Sequence, residues 1–421
     1  MSHTSAAGYN PGSDNQNENN SMSKTLIRDA RSYRLTSIDF ARGLVIVVMA
    51  IDHVRDFFLT GTSFDPMSQP DVSPSLYLTR WITHLCAPTF VFLAGTSAGL
   101  MAARKTSGEL GAFLVKRGLW LIFVEVAIIS TALTFSPLGM PELGGGILLF
   151  LQVIWAIGAS MVLLGAAQFL GSRACLWLGI LILAGQNLFD PWWPAPDLES
   201  GNSSPLALLF YQGSFTVGPF FIMEIYPLLA WFGVMLLGFG SAFLFTGEPE
   251  VRNSRLVRLG IAFIVIFVAL RASGLYGDAN PWQVQPAGPL ATAFDFMNVT
   301  KYPPSLLFLL ATLGPMAIVC GLADRWSGWL KDTLVMFGRV PFAFYVLHVP
   351  LIHLLAIGLG VMQGFSADQM MTFPLFFPAD YGVSLAGVYL AWFLVLAILY
   401  PPCKAMADLK SRRKDWWLSY L

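Results

Sequence analysis

The chain has 421 residues, of which 55% are hydrophobic and 12% charged, about half the charged share of an ordinary soluble domain. Too few charges remain to cover a soluble surface of this size. Lys and Arg number 25 against 25 Asp and Glu, a balance without the basic face that a nucleic-acid binder needs; four cysteines are too few for a disulfide scaffold.

Residues 1–34 open the chain with a Ser-, Asn- and Gly-rich stretch that has no apolar core of a signal peptide. The expectation is a disordered cytoplasmic tail. A membrane-crossing helix needs about 20 mostly apolar residues. Roughly ten such runs follow, at 38–59, 81–103, 113–133, 147–170, 174–189, 226–246, 255–271, 304–323, 335–359 and 382–403. Transmembrane β-strands would show alternating segments of about ten residues, whereas these runs are continuous and twice as long. No repeat of 20–50 residues is visible. The fold expected is all-α: a polytopic transmembrane bundle over 35–404, closed by a basic cytoplasmic tail at 405–421. The fifth run is short, and the outer loops near 190–225 and 272–303 carry Trp192, Trp193 and Trp282, suited to an interfacial aromatic belt.

Loop cations set the orientation. Lys24, Arg28, Arg31 and Arg34 precede run one; Arg104, Lys105, Lys116 and Arg117 lie between runs two and three; Arg173 follows run four. Arg252, Arg255 and Arg258 follow run six, and Arg325, Lys331 and Arg339 lie around the gap after run eight. Lys404, Lys410, Arg412, Arg413 and Lys414 follow run ten. These are 20 of the 25 cations, all on one side, so both termini are expected in the cytoplasm. The opposite loops are acidic or neutral, with Asp65, Asp71, Glu142, Asp190, Asp197, Glu199, Asp278, Asp368 and Asp380.

The five remaining cations are exceptions. Arg42 lies inside run one; Arg55, Arg80, Arg271 and Lys301 sit at outer ends. Ionisable groups inside a bilayer cost about 2.5–3.5 kcal/mol each on insertion scales, which makes them functional candidates. Snorkelling, or pairing with Asp56 or Asp295, is the plainer alternative. Four of the five histidines, His53, His84, His348 and His353, also fall in the runs. Alternating topology puts His53, His84 and His353 in the outer half and His348 near the middle. His348 and His353 are about 140° apart around a helix, no His-x-x-x-His pair or Cys/His cluster is present, and no metal site is expected.

Run one has a definite geometry. Asp39 and Arg42 share a face at i,i+3. Arg42 and His53, eleven apart, point the same way within about 20° and lie ~16 Å apart along the axis. Asp56, at i+3, can reach the His53 ring, while Asp52 points about 100° away. Glu125, midway along run three, has no partner in sequence terms.

At these residues the chain resembles a known group. Ser37-Ile38-Asp39-Phe40-Ala41-Arg42-Gly43, with ten residues between Arg42 and His53, is similar to the first helix of the transmembrane acyltransferases. These include the heparan-alpha-glucosaminide N-acetyltransferase catalytic domain and its bacterial relatives. Ala87-Pro88-Thr89-Phe90-Val91-Phe92-Leu93-Ala94-Gly95-Thr96, Tyr226-Pro227 through Trp231-Phe232-Gly233, Lys301-Tyr302-Pro303-Pro304-Ser305 and Phe344-Tyr345-Val346-Leu347-His348-Val349-Pro350 extend the resemblance over about 37–400. Members with a lumenal domain ahead of the first span differ from the polar tail found here. The resemblance therefore carries the chemistry and not the heparan substrate.

What it implies is transfer of an acyl group, acetyl above all, from acetyl-CoA or another acyl-CoA to an extracytoplasmic sugar hydroxyl or amine. The enzyme would sit in a bacterial cytoplasmic (inner) membrane. His53 would act as base or acyl carrier, oriented by Asp56, with His84 as a further catalytic residue. His84, Arg80 and Lys301 are unranked candidates to stabilise the oxyanion. Arg42 and Asp39 would serve the polyanionic donor at the cytoplasmic mouth; Arg80, Lys301, His348 and His353 would hold the acceptor. The partners expected are a glycan and the bilayer, with a homo-oligomer left open and no nucleic acid. The alternative reading is a proton-coupled transporter using the same buried His, Asp and Arg, against which stands the lack of an internal repeat.

Overall fold

In a computed structural model of the protein, the described residues are 35–61, 66–68, 72–413 and 415–419. The tail at 1–34, Asp65, Asp71 and Lys414 lie outside them. Residues 37–421 group as one compact unit. In chain order the main elements are α1 Thr36–Phe58, α2 Pro74–Thr83, α3 Cys86–Ala102, α4 Ser107–Phe123, β1 Ile147–Leu151, α5 Val153–Ala167 and α6 Ser172–Gly185. They continue with β2 Gly213–Val217, β3 Phe220–Glu224, α7 Leu228–Gly240, α8 Pro249–Ser273, α9 Pro289–Met297, α10 Leu306–Leu322, α11 Trp329–Arg339, α12 Pro341–Met362 and α13 Leu385–Arg412.

The fold is a helical membrane bundle. Among the described residues, seven helical segments are long and apolar enough to cross a bilayer. The other three expected runs are helical as well. They fall short because α1 carries Asp39, Arg42, Asp52, Arg55 and Asp56, because α4 gives way to a π-helical turn after 17 residues, and because α7 has only 13 residues. Run two is broken at His84–Leu85 between α2 and α3. Pro88 has no N–H to give the His84 carbonyl, and its ring crowds that carbonyl. Run nine divides at Val340, where Pro341 begins a new helix, a position that suits proline's fixed φ. The last helix runs on to Arg412, past the expected end of the bundle.

Close packing of the spans uses small residues, as expected where no hydrophobic effect drives helices together. A Cβ on Gly95 of α3 would lie 2.1 Å from the Met235 carbonyl oxygen of α7, and one on Gly238 2.1 Å from that of Phe92. Gly118 of α4 and Gly158 of α5 meet in the same reciprocal way, as do Gly260 of α8 and Gly314 of α10.

A small sheet departs from the helical expectation. Its order is β1-β3-β2, with β1 parallel and β2 antiparallel to β3, and Leu151 opposite Glu224. Residues 147–151, read from sequence as the start of run four, form β1. A five-residue apolar run fits a strand or a buried helix turn equally, and only pairing with a segment 73 positions away decides it. Behind the sheet, α4 continues through a π-helical turn, Val124–Ile129, into Ser130–Thr134. Ser130 Oγ donates to the Glu125 carbonyl and accepts from the Phe150 N–H, each at 3.0 Å. That tie fixes the sheet to the bundle beside the His53 end of α1.

Candidate active site

A cavity of about 430 Å³ opens at this end of the bundle. The α1 helix gives it Met49, Asp52, His53, Arg55 and Asp56; the α2–α3 break gives Arg80, His84 and Cys86. The strand ends supply Gln152 and Tyr226, and the segment before α10 supplies Asn298, Thr300, Lys301 and Tyr302. Arg80 and His84, four apart on one face of α2, both reach this space, and the break after His84 adds Cys86.

Four charges form a chain across one wall. Arg55, 1% exposed, pairs with Asp52 at 2.7 Å and also with Asp56, while Arg80 pairs with the second oxygen of Asp52. Two of the outer-end cations are therefore neutralised in place, which is the plainer reading of both. Arg271 is likewise structural. It donates to the carbonyls of Phe296, Asn280, Asp295 and Asn298 at 2.6–3.2 Å, clamping the loop around α9 rather than pairing with the Asp295 carboxylate.

Lys301 differs. It lines the cavity at 9% exposure, and its ammonium lies 5.0 Å from the Tyr302 ring centroid. Among the described residues no carboxylate pairs with it. Its backbone is held by Asp278, which accepts from Thr300 N–H at 2.8 Å and from Ser305 Oγ at 2.6 Å, one on each side of Lys301. Tyr302 in turn donates to the Tyr226 hydroxyl at 3.2 Å. At the rim near Pro196 and Leu198, Ser200 donates through its hydroxyl and its N–H to Asp197 and holds that carboxyl below the usual carboxylate range.

His53 is half-buried on the cavity wall. Neither ring nitrogen makes a hydrogen bond among the described residues. Asp56, expected to orient this ring, is engaged by Arg55 instead. The ring that packs on His53 belongs to His348, at 5.0 Å between centroids and 68° between planes. His84 lines the cavity with its ring against Phe308 at 5.4 Å, and its Nδ1 is buried without a hydrogen bond among the described residues.

Other expected contacts fall elsewhere. His348 and His353, expected to hold the acceptor, are both 0% exposed and are not among the residues that line the cavity. His353 stacks on Phe135 at 4.4 Å and sits within 2.9 Å of the Ala132 and Met370 carbonyls. Arg42 and Asp39 lie well along α1 from the cavity; Arg42 donates to Ser97 Oγ at 2.6 Å and to the Leu93 carbonyl at 3.0 Å on α3. Among the described residues Glu125 meets neither a histidine nor an arginine; the Tyr345 hydroxyl donates to it at 3.5 Å, beside backbone N–H groups of Gln152, Ile154 and Trp155. Sequence reading did not single out Gln152, Asn298 or Thr300. They are ordinary polar residues at loop and strand ends, and no spacing marks them.

Fold and cavity together define a polytopic membrane protein with a polar, histidine-bearing pocket near one end of its bundle. Residues 34–272 match the family described as heparan-alpha-glucosaminide N-acetyltransferase, catalytic. That is more than half of the chain, and the protein belongs to this family. The match takes in His53, Arg80, His84 and Glu125 and ends before Lys301, His348 and His353. A comparison with curated proteins returns no match.

Proposed function

We propose that the protein transfers an acyl group, acetyl in the first instance, from acyl-CoA to a hydroxyl or amine of an extracytoplasmic sugar. The observation that carries the reading is the presence, in one cavity, of a histidine whose ring nitrogens make no hydrogen bond and an ammonium that forms no ion pair among the described residues. Acyl transfer needs a group to take the acceptor's proton and a cation or N–H donor where the tetrahedral oxyanion forms. His53 suits the first task, as base or as transient acyl carrier. Lys301 suits the second better than Arg80, whose guanidinium is already committed to Asp52. His84 stands ready as a second donor or acceptor. Gln152 and Asn298 offer side-chain amides of the kind that hydrogen-bond a sugar.

In this reading both termini are cytoplasmic, about ten segments cross a bacterial inner membrane, and the cavity opens to the far side. Family membership favours transfer over transport. The test is turnover of acetyl-CoA by the purified protein with a panel of amino and neutral sugars. Wild type should turn over acetyl-CoA repeatedly only with an acceptor present, and His53→Ala should lose the ~10²–10⁴-fold that a general base supplies. Equal turnover in wild type and His53→Ala would overturn the assignment.

A further inference from the structure

The buried imidazole behind the cavity has a chemical state that its contacts define. His348 Nδ1 lies 2.5 Å from the carbonyl oxygen of Tyr345, three residues earlier on α12. A carbonyl only accepts, so this nitrogen carries the hydrogen. The other nitrogen, Nε2, is then a bare lone pair. It is buried and has no hydrogen-bond partner among the described residues. An unsatisfied buried acceptor costs about 1–3 kcal/mol, and such groups in native structures call for a reason. The rings around His348 are Phe344, Tyr345 and His53. Of these, Tyr345 directs its hydroxyl to Glu125, and only His53 has an N–H left to give.

The spacing fits. An N–H···N bond of ~2.9 Å between two imidazoles puts their centroids ~5 Å apart, and the observed separation is 5.0 Å. The two rings are tilted by 68°, and the proposal requires the His53 ring to turn an N–H toward Nε2. Catalytic hydrogen bonds are often poorly aligned until substrate is bound.

We propose that His348 is the positioning residue for His53: in the loaded site its Nε2 accepts one N–H of His53, which leaves the other His53 nitrogen bare toward the acceptor. The inference rests on the acyl-transfer reading of His53. It gives His348 the part that Asp56 cannot play while Arg55 holds it. As His53 takes the acceptor's proton, the imidazolium formed keeps its hydrogen bond to His348, and the proton leaves with the CoA thiolate, so no net proton is gained. The charged groups facing His53 are Asp52, Asp56, Arg55 and Lys301, and behind His348 the carboxyl of Glu125 is reached through Tyr345.

The experiment uses the full-length protein in detergent or nanodiscs with two variants. His348→Leu fills the space and removes the acceptor; His348→Gln keeps an oxygen near the position of Nε2. Two readouts are taken as a function of pH: acetyl-CoA turnover, and the rate at which diethyl pyrocarbonate modifies His53, followed on its peptide by mass spectrometry. The second needs no acyl donor and holds even if the transfer reading fails. His348→Leu should lower kcat by about 10², the loss expected from a misplaced catalytic group, with KM for both substrates little changed. The midpoint of His53 modification should move with it, and His348→Gln should restore both. An unchanged His53 midpoint in His348→Leu, or equal loss in the two variants, would make His348 a packing residue and overturn the proposal. Absence of turnover in wild type would sink the acyl-transfer reading alone. Should His348→Leu not fold, the midpoint in His348→Gln compared with His348→Asn, which moves the oxygen to the Nδ1 position, decides the same question.

Discussion

Gly43 and Gly338 face each other where α1 crosses α11. A Cβ on Gly43 would sit 1.7 Å from the Leu334 carbonyl oxygen, and one on Gly338 1.7 Å from that of Asp39. Two backbones touch there with nothing between them, and this contact fixes the helix that carries Asp39, Arg42 and His53. Gly43→Ala and Gly338→Ala should each destabilise the protein by at least the ~1–3 kcal/mol of an overpacked core, because backbone and not a mobile side chain must move. Thermal unfolding in detergent measures it. A variant that melts with wild type would show that the two helices separate freely.

Asp52 joins Arg55 to Arg80. Asp52→Ala leaves a buried guanidinium short of its counter-ion, a loss of about 3–5 kcal/mol when one partner of a buried pair is removed. Asp52→Asn keeps the shape and should lose less. Melting temperatures of the two variants, ordered Ala below Asn below wild type, check this.

The donor side is open to a paired test. If acyl-CoA docks at the basic end of the bundle, Arg42→Ala should raise KM for the donor and leave KM for the acceptor alone. Arg42 also ties α1 to α3 through Ser97, so Ser97→Ala, which removes that tie and keeps the charge, separates docking from packing. Equal effects of the two substitutions would assign Arg42 to packing.

Transfer across the membrane has its own measurement. In oriented vesicles, labelled acetyl-CoA confined to the side of the termini should label a sugar present only on the other side. Labelling that requires donor and acceptor on one side would remove the vectorial step and keep the chemistry.

Orientation is tested by reporters fused after Leu421 and inserted in the Gly144-Gly145-Gly146 turn. With 20 of 25 cations on alternate loops, the first should read as cytoplasmic and the second as exported. The reverse pattern would invert every loop.

Sequence alone identified the helical membrane bundle, because a bilayer demands about 20 apolar residues per crossing and tolerates little else. It also picked out His53, His84, Arg80 and Lys301, since intramembrane polar groups are too costly to be incidental, and all four line one cavity. It could not sort these groups by task. Helical periodicity gives direction around one helix and says nothing about which neighbour packs on it. Asp56 lies at the right spacing from His53 and is held by Arg55; His348, 295 positions away, is the ring that meets His53. Lys301 and Arg271 read alike as outer-end cations, until the first forms no ion pair among the described residues and the second is bound by four carbonyls. The strand at 147–151 was hidden for the same reason. Which buried charge is paired, which imidazole is bare and which apolar run becomes a strand are contacts between distant segments, and those exist only once the chain has folded.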